Sequence, residues 1–443
     1  MLDINIIFKI IAPLILWLKT RDDITYKDLI TIFKPNDKFR NLIWQSQFYF
    51  LTLYFFLKVL EIFHKNTSLI NKYSIFILTL SCLIGLIKRR YKLYNSIEEI
   101  YEACSELVII LYINNFSNAA WIISISVLFT SISAGISKVK SKLWSHNGSR
   151  SGLIQYLTLP SVSRKFIRNY SSIYYKKYKF VKVILQIITI FTPWIQIISA
   201  IGLLLAKFLG LILLSKIFFF FQISFIFLLY IISDLSWITS FYSFLIISVF
   251  SINLENFFSY NILINSINLV CFIFIFIFTL RVLFGNNKFL KRSLASYSSL
   301  TFDVVPFKMF TEVHMTNLIT YFIKFEESKG LKNHFDKKGY RNQNQNHSSR
   351  HMQALMYPLC DLCINLYRDE NSSSPYKSKL HKKQCQKIIE VFPLSEIIFF
   401  QHRFSEKKGC YDSKIIAKLK IPREIDSSKY NLEKYNTILE TSR

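Results

Sequence analysis

Apolar stretches long enough to cross a bilayer, separated by turns rich in Lys and Arg, constrain this chain more than any motif does. Stretches near the roughly 20 residues that span hydrocarbon run Leu42 to Phe63, Lys72 to Ile87, Ala119 to Ile136, Val181 to Ala206, Leu209 to Ile232, Trp237 to Leu254 and Ile262 to Phe284. A weaker one, Ile97 to Ile113, carries Glu98, Glu99, Glu102 and Glu106 at helical spacing before it turns apolar. Its acidic start is expected to stay wet or to face the bundle. Ile4 to Leu18, interrupted by Lys9 and Pro13, reads as an interfacial helix or at most a first span, with no small-residue cleavage site after it. Of 443 residues, 51% are hydrophobic and only 19% charged, too much apolar surface for one soluble core. The expected fold is an all-α polytopic membrane bundle of about eight transmembrane helices, with a small α/β cytoplasmic C-terminal appendage.

The formal charge of +27 would suit nucleic acid if it were spread over a soluble face. Here the cations cluster in the turns between apolar runs, as the positive-inside rule expects, so a bilayer with anionic headgroups is the expected partner and no nucleic acid is. Lys19, Arg21, Lys27, Lys34, Lys38 and Arg40, then Lys88 to Lys92, the loop from Lys138 to Lys179, and Lys288 to Arg292 fall on alternate sides of the spans from Lys65, Lys72 and Lys207. That asymmetry places both termini in the cytoplasm. No Asp or Glu occurs from Leu107 to Ser233, which argues against carboxylate acid–base chemistry or an oxygen-rich metal cage in the central spans. Seven cysteines, an odd number with two in apolar runs, imply no disulfide framework.

Within the long basic loop, Lys138 stands three residues after Gly135, where hydrocarbon gives way to water. It either snorkels or sits desolvated, able to act as a base. The Ala134-Gly135 pair lets another helix or a ligand approach the backbone, and Trp144 is a typical interface anchor. The pattern small-Gly-x-x-Lys, then Trp144 and Gly148, resembles the signature segment of the horizontally transferred transmembrane (HTTM) proteins, a family related to the membrane domain of the vitamin K-dependent gamma-carboxylase. Thr192-Pro193-Trp194 ahead of an apolar run, and Pro306-Phe307-Lys308-Met309-Phe310 after the last span, are similar to further family elements. The resemblance covers roughly residues 40 to 320.

What the resemblance implies is base-initiated chemistry on a lipid-soluble small molecule, with Lys138 in the catalytic position and Gly135, Trp144 and His146 lining the substrate; it names no cofactor. The alternative is a noncatalytic membrane protein that binds lipid or a partner, such as a maturation or immunity factor. A transporter ranks third, since the sequence shows no internal repeat and no paired intramembrane charges. Gln222, a lone amide in a Phe-rich run, reads as interhelical glue that could also line a pocket, and Lys216 as a better-buried cation that could also snorkel.

The expected domains are an interfacial segment over 1–41, the bundle over 42–284, a membrane-proximal segment over 285–332, a disordered linker over 333–350 and a soluble α/β tail over 351–443. In the tail, Met352 to Arg368 reads as an amphipathic helix, and Lys387 to Phe392, Glu396 to His402 and Lys414 to Ile421 as strands. Cys360-x-x-Cys363 with His381 and Cys385 has zinc-like spacing, but Cys363 falls on the apolar face of the helix, and the core reading is the stronger.

Overall fold

Helix is the open-ended conformation that satisfies its own backbone in hydrocarbon, and the apolar runs adopt it. The computed structural model describes residues 4–25, 38–63, 67–88, 97–233, 236–253, 262–284, 318–324, 335, 337–340 and 396–420. In chain order these hold α1 (Ile4–Ile6), a π-turn (Ile7–Ile11), α2 (Ala12–Thr25), α3 (Lys38–Phe63), α4 (Thr67–Lys88), α5 (Ile97–Ile113), α6 (Ser117–Ser124) and α7 (Ser126–Val139). There follow α8 (Gly152–Thr158), α9 (Lys165–Lys177), α10 (Lys179–Phe208), α11 (Ile212–Ser233), α12 (Ser236–Ser251) and α13 (Ile262–Phe284), then β1 (Leu318–Lys324), β2 (Glu396–Ser405) and β3 (Cys410–Lys420).

Six helical stretches among the described residues are long and apolar enough to cross a membrane: Gln45–Phe63, Ser68–Lys88, Ser117–Val139, Lys179–Phe208, Ile212–Ser233 and Ile262–Leu280. The third is α6 and α7 in series, and it is the most enclosed, with α10 and α13 packed against it. The other candidate spans present Phe56, Phe76, Phe220 and Phe276 outward, as lipid-facing helices do. The 4–25 segment, expected as interfacial or at most a first span, buries Phe8 and Leu16 in the same core as Val108, Trp121 and Leu245.

Charge enters that core at one end. Asp23 on α2 accepts from Lys19 at 2.6 Å and pairs with Lys88 on α4 at 3.1 Å. Lys88 donates to Gln47 Oε1 on α3 (2.8 Å), whose Nε2 donates to Glu106 Oε1 on α5 (2.7 Å). All five side chains are buried, so α5 turns Glu106 and Glu102 into the bundle. Gly85 makes room, because a Cβ there would lie 2.0 Å from Glu106 Oε1 and 2.2 Å from Gln47 Nε2.

The appendage is an antiparallel sheet of order β1-β2-β3. Two of its strands match the expected ones and extend them. The third, Leu318–Lys324, comes from the stretch read as membrane-proximal. The hairpin joining β2 to β3 closes with Gly409 at φ +63°, its amide donating to Ser405 O at 2.8 Å. Leu318, Phe404 and Tyr411 pack the sheet onto Leu143, Trp144, Tyr156 and Leu159 of the basic loop. The expected helix over 352–368, the strand over 387–392, the zinc-like residues Cys360, Cys363, His381 and Cys385, and the Pro306–Phe310 element lie outside the described residues.

His402 on the central strand is buried. Thr320 Oγ1 donates to Gly339 O (2.7 Å), so it accepts from His402 Nε2 (2.6 Å), while Ser413 donates to Nδ1 (2.8 Å). Burial, reinforced by the Arg168 charge, pushes this imidazole down to about 4 from its ordinary 6.5. Above pH 6.5 the ring is neutral whether folded or unfolded, and its contribution is fully present. As pH falls from 6.5 towards 4 the unfolded chain takes up the proton first, and on the order of 3 kcal/mol is lost. Amide exchange in β2, corrected for intrinsic rate, is expected to accelerate across that window, and His402→Gln to flatten the dependence.

Candidate functional site

Gly135, Lys138 and Trp144 are held by close backbone approach. On α7, Gly135 faces α10: a Cβ at this position would meet Ile197 Cγ1 at 2.5 Å and the Pro193 carbonyl at 3.0 Å. Only a glycine lets the two helices come together there. One turn later Lys138 enters the seam, 4% exposed, and Nζ donates to Gln196 Oε1 at 2.7 Å. Its Nζ lies 5.6 Å from the Trp144 ring centroid and 5.7 Å from that of Phe225 on α11, within cation–π range when it carries charge. Of the two possibilities read from the sequence, desolvation is the one seen, and snorkelling is not.

Trp144 is brought to Lys138 because the chain turns back after α7. Ser149 N donates to Lys142 O and Gly152 N to Leu143 O, and Gly152 abuts the indole so closely that a Cβ would lie 2.5 Å from Trp144 Cε2. Trp144 also packs in the cluster that includes Tyr411 of the sheet, so the appendage shares an apolar cluster with the site. His146 is exposed in the turn with its ring against Asn147, and its carbonyl accepts from Arg150. The structure gathers Gly135, Lys138 and Trp144 and leaves His146 facing outward.

Behind Lys138 a track of neutral polar groups runs inward. Gln196 Nε2 reaches Ser131 Oγ (3.4 Å), Ser131 meets the Tyr242 hydroxyl of α12 (2.9 Å), and Tyr242 meets Gln222 Oε1 (3.1 Å). Gln222 Nε2 donates to Ser199 Oγ (2.7 Å), and Ser199 returns to Gln196 O (3.4 Å). One consistent direction satisfies every member: Ser131 donates to Tyr242, and Tyr242 spends its single proton on Gln222. Tyr101 of α5 sits edge-on to Tyr242 at 5.3 Å and bonds Thr130 Oγ1 at 2.9 Å. From Lys138 to Ser131 is seven residues of helix, about 10 Å of depth.

Gln222 is thus glue, as its isolation in an apolar run implies. Lys216, read as buried or snorkelling, is exposed on α11; its neighbours Ile212 and Leu213 lie on the outer surface with it. Sequence reasoning read Lys19 and Lys88 as loop charge, and it missed Asp23 and Tyr242, whose hydroxyl has no sequence signature among 25 tyrosines. The Lys19–Asp23–Lys88 pairing also supplies the paired charges that the sequence did not reveal. It lies at span ends, with Lys88 the last residue of Ser68–Lys88, away from the midplane position of transport sites.

Comparison with protein-family models, with curated proteins and with solved structures finds no match to this chain. The site is therefore read from its own geometry.

Replacing Gln196 by Leu removes the acceptor of a charged hydrogen bond and breaks the polar track. A loss of about 1.5–3 kcal/mol is expected, read as a lower melting temperature of the purified protein, whereas Gln→Leu at an exposed lipid-facing position would leave melting unchanged.

Proposed function

We propose that this chain is an HTTM-like integral membrane protein that receives a lipid-soluble molecule with an acidic head at Lys138 and begins its chemistry there by taking a proton. The observation that carries the reading is the burial of Lys138 between Gln196, Trp144 and Phe225, in a stretch of sequence without carboxylates. In the step proposed, neutral Lys138 removes the proton of a bound hydroxyl. The O–H electron pair stays on oxygen, Nζ becomes an ammonium donating to Gln196, and the oxyanion is held beside that ammonium where water is scarce. The resemblance to the vitamin K-dependent carboxylase relatives supports base-initiated chemistry of this kind.

The same proposal takes α5 and α12 as crossing the membrane, for about eight spans with both termini cytoplasmic. At 17 and 16 residues they reach about 25 Å at 1.5 Å per residue, near the span length in a bundle that buries them between longer neighbours. The positive-inside bias supports the orientation.

One observation favours the noncatalytic alternative. Gln196, Trp144 and Phe225 already engage the ammonium and tie α7, α10 and α11 together, an arrangement that serves lipid or partner binding without turnover.

Mass spectrometry of lipids that co-purify with wild type and with Lys138→Ala, at equal folded yield, separates the two. A quinone or other oxidisable lipid in wild type, released or accumulated unreacted in the variant, is the expected result. Ordinary phospholipid in both proteins would remove Lys138 as the reactive centre and leave the binding role.

A further inference from the structure

Helix α9 has two unlike faces. Arg168 and Tyr175 turn inward: the guanidinium lies 4.5 Å from the Tyr340 ring centroid, and Tyr175 closes on the hairpin, where a Cβ on Gly409 would fall 2.5 Å from its ring. The other face is apolar and, among the described residues, uncovered. Phe166 (53%), Tyr170 (55%), Ile173 (56%) and Tyr174 (47%) are all exposed, at the i, i+4, i+7, i+8 spacing of one helical stripe. Their rings are ordered, with Phe166–Tyr170 centroids 5.7 Å apart, Tyr170–Tyr174 6.3 Å and Tyr174–Tyr178 5.7 Å.

That ladder does not end with the helix. Tyr178, a single extended residue between α9 and α10, passes it to Phe180 at 5.8 Å. Phe180, Val183, Ile184 and Ile187 then form the exposed start of the membrane-crossing helix Lys179–Phe208. The apolar face of α9 is thus continuous with a lipid-facing surface. Beside it stand Lys165, Lys176 and Lys177, all exposed, and the helix has no acidic residue.

We propose that α9 lies in the plane of the membrane, its Phe166–Tyr170–Tyr174 face seated at the boundary of headgroups and acyl chains and its lysines on anionic lipid phosphates or carboxylates. Aromatic rings prefer that depth, and cations flanking an apolar stripe are how in-plane helices select anionic leaflets. A second copy fits less well, because two such faces brought together would oppose like charges without a carboxylate between them. The opposite face then holds the sheet, so α9 fixes the sheet that packs on Trp144 at the membrane surface. This inference depends on the spans and not on any reaction at Lys138.

The test is hydroxyl-radical footprinting of the full chain in nanodiscs of phosphatidylcholine alone and of phosphatidylcholine with phosphatidylserine. Oxidation of Tyr170 and Tyr174 is expected to fall in the anionic discs towards that of Tyr73, which lies within a span, while exposed His146 stays reactive. The triple variant Lys165→Glu, Lys176→Glu, Lys177→Glu should lose the dependence on phosphatidylserine. Tyr170 and Tyr174 as reactive as His146 in both discs would overturn the proposal. Protection that follows protein concentration instead of lipid charge would assign the face to a second copy and overturn it too.

Discussion

A polar group inside a bundle surrounded by hydrocarbon has no water to fall back on, and every helix that carries one must find its partner on another helix. That requirement decides which helices touch here. Asp23, Lys88, Gln47 and Glu106 bind α2, α3, α4 and α5 into one half of the bundle. Lys138, Gln196, Ser131, Tyr242 and Gln222 bind α7, α10, α11 and α12 into the other. Apolar packing fills between them, but Leu against Leu is no better than Leu against lipid, so the polar contacts supply the specificity.

The two clusters differ in character, and the difference bears on function. Ion pairs dominate the first, with opposite charges in contact, so that losing one partner leaves a buried charge uncompensated. The second holds a cation among amides, hydroxyls and rings. Its hydrogen-bond track has one direction, yet Gln196 and Gln222 keep it from conducting protons, since an amide does not readily release its N–H. The track orients Lys138 and does not carry its proton. Trp144 joins that site to the sheet through the apolar cluster that includes Tyr411.

Much of this was legible in the chain. Hydropathy located the long apolar helices because hydrocarbon thickness sets a minimum length, and the Ala134-Gly135 pair was legible as a place where another helix could approach. The acidic start of α5 was legible as a choice between water and the bundle. What decided it, Gln47 and Lys88 on other helices, was not, because nothing local distinguishes a paired lysine from a loop lysine. Tyr242 and Gly85 were hidden for the same reason: their roles exist only across helices. The strand Leu318–Lys324 escaped notice because its partner lies more than seventy residues on, at Glu396–His402.

The central claim is that Lys138 is enclosed while its neighbours along the chain are not. Peptide-level mass spectrometry after brief treatment of native membranes, opened to both sides, with a water-soluble amine-acylating reagent measures this directly. Lys140 and Lys142, both exposed, provide the internal standard. Rapid acylation of those two with Lys138 spared until the protein is unfolded is the expected result. Lys138 acylated as fast as Lys142 would place its amine in water and contradict the account.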